Sequence, residues 1–186
     1  GVQVIVSTHS SILASKINIK NLILLKNDSS FNLSAEYTGL EKGDYLFLQR
    51  FLDSTKANLF FAKGIIMVEG DAESLLLPTL ADVIGINLEK HGISVVNVGG
   101  TGFFRYSRIF LRKDGSAIDV PISIITDCDI EPDKQDGEID QRETETTAAI
   151  VAIQRKYNVG CINAFVAPKW TFEYSVAFSC LRDMLY

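Results

Sequence analysis

GIIMVEGDAESLLLPTLADVIG, residues 64–85, decides the fold: an apolar strand-like run ends on Glu69 and Gly70 and passes at once into leucines at helical spacing. That is one βα unit, and the same grammar repeats downstream. ISVVNVGG predicts a strand and a glycine turn, and TGFFRYSRIFLRKDG the following helix, closed by Gly115. PISIITDCD predicts a third strand, with an amphipathic helix over roughly 141–157 after it. INAFVAPKW predicts a fourth short strand, and TFEYSVAFSCLRDMLY the last helix. Four strands alternating with helices imply an α/β fold with a parallel sheet covered on both faces.

In such a sheet, ligands gather at the carboxyl ends of the strands. Three acidic clusters fall there: VEGDAE at 68–73, TDCD at 126–129 and PKWTFEY at 168–174. Glu69 closes a strand, and Glu73 lies four residues on, sharing its face if the helix starts near Asp71. Like charges at that spacing repel unless a cation sits between them. Asp71 serves equally well as a helix cap or as a ligand. Asp127 and Asp129, two apart at a strand end, point to one side if the backbone stays extended. Hard oxygen donors without a nearby histidine favour Mg²⁺ or Mn²⁺ over zinc. Lys169 falls at the same edge, where an ammonium can stabilise a pentavalent phosphate or its leaving oxygen. Glu173, four residues further, either orients Lys169 or completes a metal shell. The turn NVGGTG, with Gly99, Gly100 and Thr101, is either a plain βα turn or a backbone cradle for phosphate.

Composition sets outer limits. Hydrophobic content of 47% with 22% charged residues is that of a soluble globular chain, and no apolar run reaches the ~18 residues of a membrane span. The start, GVQVIVSTHSS, lacks a basic leader region. Cys128, Cys161 and Cys180 are odd in number and without C-x-x-C spacing, so neither a disulfide framework nor a zinc site is implied, and a reducing cytoplasm fits best. The net charge of −5 is unevenly spread: the stretch 127–145 carries −7, leaving the rest at +2. The remainder is therefore free to hold DNA while the acids bind metal or stay solvated, as residues 133–145 do if they form a loop and helix start.

Residues 1–58 follow a different pattern. VQVIVSTHS predicts a continuous β-branched strand, SSILASKI a helix and NLILLKND a second buried strand. From Ser29 to about Lys56 the periodicity weakens. We read 1–58 as the end of one domain plus a connector, and 59–186 as a second domain.

The VEG turn followed by a later D-x-D, here Asp127-Cys128-Asp129, resembles the Toprim domain of topoisomerases, primases and nucleases. The longer series FFAKGIIMVEGDAE, NVGGTGF, ITDCD and KWTFEY resembles the OLD (overcoming lysogenization defect) nucleases, including the nuclease subunit of the Gabija defence system. These join an ABC-type ATPase to a Toprim nuclease, and IVSTHSSILAS is similar to the last strand and switch-histidine loop of such an ATPase. The resemblance implies a Rossmann-like Toprim sheet preceded by a small ATPase remnant. Glu69 and Asp127 become principal metal ligands, Asp129 and Glu73 complete one or two sites, Lys169 is the catalytic lysine, and His9 senses ATP in the full-length protein. It also implies two-metal hydrolysis of DNA, homo-oligomers formed through the ATPase region, and a role in repair or phage defence. No G-x-x-x-x-G-K-[ST] loop occurs, so no ATPase activity is expected of this chain, which reads as the C-terminal part of a longer protein. The competing expectation is a Toprim-like module that binds nucleic acid or a partner without cutting. Both D-x-D acids, both glutamates and the lysine favour the enzyme, because a binding module needs no such convergence.

Overall fold

A computed structural model describes residues 1–131 and 139–179. In chain order the elements are α1 (Ser11–Lys16), the hairpin strands β1 (Ile23–Lys26) and β2 (Ser29–Asn32), α2 (Lys42–Phe51), β3 (Gly64–Val68), α3 (Asp71–Val83), β4 (Ile93–Asn97), α4 (Phe103–Ser107), β5 (Ile122–Thr126), α5 (Ile139–Tyr157), β6 (Ile162–Val166) and α6 (Phe172–Ala177). Short 3-10 turns lie at Ile19–Asn21 and Lys56–Phe60.

The four expected strands form one parallel sheet in the order β4-β3-β5-β6. From β3 the chain steps to β4 on one side, then crosses back past β3 to lay down β5 and β6 on the other. The winding thus reverses between β3 and β5, and a crevice opens outside the carboxyl ends of strands at such a reversal. Glu69 and Asp127 are the first residues beyond the ends of those two strands.

Alternation along the strands sets the core. Ile122, Ile124 and Thr126 of β5 are buried in turn, as are Ile162 and Ala164 of β6. Central β3 is buried on both faces, with Ile65, Met67 and Val68 at 2% exposure or less. Edge strand β6 departs from the expected two-sided cover, since Phe165 on its outer face is exposed. The same hydrophobic cluster takes in Leu33, Leu40, Leu48 and Leu59, so residues before Gly64 pack into the core of the sheet.

Three expectations are corrected here. The run 2–10 forms no strand, and Val2, Val4 and Ile5 stand 93%, 74% and 90% exposed. A β-branched run becomes a buried strand only where neighbours accept its backbone hydrogen bonds and cover its faces, and no described residue does so. The run 21–28 yields not a buried strand but β1 of a two-stranded antiparallel hairpin, with Ile23 and Leu25 exposed. The helix expected over 101–115 stops at Ser107. Beyond it the chain is drawn into contacts with the N-terminal region: Gly39 N–H donates to the Leu111 carbonyl (2.7 Å), Lys113 N–H to that of Tyr37 (2.9 Å), and the Arg112 guanidinium to that of Asn32 (2.6 Å). The last helix is described over Phe172–Ala177; residues 180–186, with Cys180, and 132–138, the first part of the acidic stretch 133–145, lie outside the described residues. No helix among the described residues is long and apolar enough to cross a membrane.

Candidate active site at the carboxyl edge of the sheet

Two strand ends build the centre of the site. Glu69 leaves β3 with one carboxylate oxygen, Oε1, accepting from both the Thr126 hydroxyl and the Asp127 amide (3.2 Å). The end of β3 is thereby tied to the end of β5. Asp127 is fixed in the same manner: its Oδ1 accepts the Phe172 amide at 2.7 Å, at the start of α6. Thr171 caps that helix by accepting from Tyr174 N–H.

Glu73, in the first turn of α3, is only 5% exposed. Its carboxylate folds back over Gly70, where a Cβ would lie 3.1 Å from Oε2. The helix amino terminus favours acids in this turn. Asp71, the first residue of α3, accepts from the Asn97 side-chain amide (2.7 Å), and Asn97 in turn accepts from Gly99 N–H (2.8 Å). Asp71 therefore holds the end of β4 against the start of α3. Gly99 and Gly100 take φ of 73° and 108°, left-handed values natural to glycine, which let Gly100 N–H reach the Glu69 carbonyl at 2.9 Å.

Asp127 carries the clearest electrostatic signature. Burial raises its pKa to about 6, and the charges of Glu69, Glu73 and Glu173 add to the rise against the Phe172 hydrogen bond. These four carboxylates thus share one field, although among the described residues no three His, Cys, Asp or Glu are gathered closely enough to hold a metal. For a group raised above the ordinary ~3.9, the contribution to stability is complete below about pH 4 and is lost as pH rises through about 6. We expect the melting temperature of Asp127→Asn, measured in EDTA, to gain on that of the native chain between pH 4 and 7. A gap that stays constant across that range would contradict the shared field.

Other candidates sit further out. Asp129 is exposed at φ 58°, its amide donating to the Trp170 carbonyl (3.1 Å), so the extended backbone expected to align it with Asp127 is absent. Lys169 precedes α6 instead of sharing a helical face with Glu173; its ammonium lies over the Phe178 ring, 5.2 Å from the centroid, and its carbonyl accepts from Ser175. Thr101 accepts from the Tyr157 hydroxyl (3.4 Å). His9 is exposed beside Phe61, 6.3 Å between ring centroids. Sequence reasoning missed Thr126 and Asn97, which orient Glu69 and Asp71. The signal for Thr126 was its parity with Ile122 and Ile124, which points its hydroxyl inward.

The acids are hard oxygen donors of the kind a divalent cation prefers, and Glu69 and Asp127 each spend one oxygen on the protein, but the described carboxylates are not drawn together around one point. Residues 60–129 match the family described as overcoming lysogenization defect protein-like, TOPRIM domain. Residues 60–129 are an OLD-like Toprim domain. The chain is 30% identical over 175 residues to endonuclease GajA of Bacillus cereus (strain HuB5-5), covering 84% of this chain and 25% of that protein. It is 33% identical over 138 residues to the Old nuclease of Escherichia phage P2, covering 69% and 22%. The chain therefore spans about a quarter of the length of these curated relatives. Among solved structures it is similar to the C-terminal region of the Xanthomonas campestris pv. campestris OLD protein, at 25% identity and a TM-score of 0.45, over 68% of this chain and 60% of that one. The Toprim segment ends at Asp129, so Glu69, Glu73 and Asp127 fall inside it while Lys169 and Glu173 lie beyond.

Proposed function

We propose that this chain is the nuclease part of an OLD-type protein, cutting or nicking DNA by metal-dependent hydrolysis of phosphodiester bonds. The observation that carries the reading is the pairing of Glu69 and Asp127 across the reversal point, where the Asp127 amide donates to the Glu69 carboxylate. The names of the two relatives, an endonuclease and a nuclease, support it.

Glu69, Asp127 and Glu73 would hold Mg²⁺ or Mn²⁺, one ion or two, with Asp129 and Glu173 completing the shell. When bound, such ions supply Lewis acidity to the scissile phosphodiester and its water nucleophile. Thr126 and the Asp127 amide keep Glu69 aimed into the crevice, and the Phe172 amide does the same for Asp127. Lys169 donates to a phosphate oxygen as negative charge develops there. In the turn at Gly99, Gly100 and Thr101 the first two amides are spent on Asn97 and on the Glu69 carbonyl, so the turn would meet the same phosphate through the Thr101 amide.

Residues 1–58 are, in this reading, the end of an ABC-type ATPase domain with its connector, and 59–186 the Toprim nuclease. His9 then senses ATP only in the full-length protein, which assembles as a homo-oligomer through its ATPase region. The free thiols of Cys128 and Cys161 accord with a cytoplasmic site of action, in repair or phage defence.

The test is Lys169→Ala with supercoiled plasmid and Mn²⁺. Nicking is expected to fall by about a hundredfold or more, as for removal of one donor to a transition-state oxyanion, while Mn²⁺ affinity measured by calorimetry stays within twofold. A parallel fall in both would place Lys169 at the metal and not at the phosphate.

A further inference from the structure

On the face formed by α2 and α4 lies an open groove of about 730 Å³, lined by Gly43, Leu46, Phe47, Arg50, Phe51 and Arg105 among others. Its aromatic floor is exposed: Phe51 is 48% accessible and stands 4.6 Å from Phe47, ring centroid to centroid. The Arg105 guanidinium lies 4.3 Å from the centroid of Phe47, which leaves N–H groups at its edge. The local acids are committed elsewhere. Arg108 pairs with Glu41 (3.2 Å) and with Asp44 (3.0 Å), and Asp44 also accepts from the Glu41 amide. Arg105 approaches Asp44 only to 3.9 Å, and among the described residues no carboxylate pairs with Arg50. The groove thus combines one guanidinium without a carboxylate partner among the described residues, that of Arg50, and one held only at 3.9 Å from Asp44, that of Arg105, with exposed rings. It also abuts the site, since a Cβ on Gly102, in the glycine turn, would lie 3.7 Å from Phe47 Cζ, and that turn donates from Gly100 to the Glu69 carbonyl.

We propose that this groove is a subsite for an unpaired DNA strand, holding a base on Phe51, which Phe47 backs, and phosphates on Arg50 and Arg105, next to the bond presented to the acids. The proposal rests on the nuclease reading and names the form of its substrate. Charge complementarity selects a polyanion. Ring faces select unpaired bases, because a base inside a duplex has no free face for a side chain to stack on. In this groove the strand runs from α2 over the glycine turn toward the acids.

The test is fluorescence anisotropy in EDTA with a labelled oligodeoxythymidylate of about 12 nucleotides, a length on the scale of known single-strand sites, against the same strand paired with oligodeoxyadenylate. The single strand is expected to bind more tightly than the duplex. Phe51→Ala and Arg50→Ala should each weaken it about fivefold to tenfold, as loss of one stacked base or one charge contact does. Arg50→Ala should also lower the slope of log affinity against log salt by about 0.7, which Arg50→Lys restores. Equal affinity in native chain and variants, a preference for duplex, or no oligonucleotide binding would overturn the subsite. Plasmid nicking separates the two claims. If the native chain nicks while binding ignores Arg50 and Phe51, the groove assignment fails alone. If binding follows Arg50 and Phe51 but nothing is cut, the nuclease reading fails alone.

Discussion

Asp127→Asn and Glu69→Gln are each expected to abolish the rise in melting temperature that Mn²⁺ or Mg²⁺ gives the native chain. A cation that binds only the folded state stabilises it by about 2.7 kcal/mol at a hundredfold excess over its Kd. For a chain of this size that corresponds to roughly 5–10 °C. Both substitutions keep an oxygen to accept the hydrogen bonds seen here, from Phe172 N–H and from Thr126 and Asp127 N–H, so the local fold has no reason to open. They remove one negative charge from the field in which burial, Glu69, Glu73 and Glu173 raise Asp127 to about 6. Without cation at pH 8, Asp127→Asn should therefore melt slightly higher than the native chain, while the cation response disappears. Asp127 is only half-buried, so solvent screening keeps that gain small, on the order of 1 kcal/mol or less. A full Mn²⁺ response in both variants would remove Glu69 and Asp127 from the metal site.

Phe103→Ala should produce the largest loss of stability, about 3–5 kcal/mol. Phe103 opens α4 directly after the glycine turn, is completely buried, and meets Tyr157 of α5 edge-on at 5.7 Å between centroids. Truncation there leaves a cavity under the turn, and the melting temperature is expected to fall by ~10 °C or more. Phe103→Leu, closer in volume, should recover most of that fall. A loss below about 1 kcal/mol would contradict the packing of α4 beneath the active edge. The consequence for function follows from position, since Tyr157 also donates to Thr101 in that turn.

The parts of the fold legible in the sequence share one property: local pattern and tertiary environment agree. Residues 64–68, 122–126 and 162–166 are apolar runs of strand length, and each is a strand of the parallel sheet. Glu69 and Asp127 were legible because an acid directly after a buried strand stands out against its apolar neighbours. Residues 2–10 look more like a strand than any of these, yet remain exposed, because pattern reports the propensity of a segment and not the presence of neighbours to pair with it. The opposite error occurs at Leu33, Leu40 and Leu48, which are buried at 1% exposure or less although the periodicity around them is weak. Their burial depends on contacts distant in sequence, as does the early end of α4, where Arg112 reaches Asn32. At the site, Thr126 and Asn97 escaped notice because their roles are second partners to acids, set by hydrogen bonds across 57 and 26 residues of chain. Asp129 misled in a different way: the extended geometry assumed for D-x-D ends at Thr126, and a left-handed residue turns the chain instead.

The central claim, that Glu69 and Asp127 mark a hydrolytic nuclease centre, is met most directly by incubating supercoiled plasmid with the chain in Mn²⁺, Mg²⁺ or EDTA beside Asp127→Ala. The account predicts nicking that requires the metal, stops in EDTA and vanishes in the variant. Nicking that survives in Asp127→Ala, or no cutting by the native chain while Mn²⁺ binding is measurable, would contradict it.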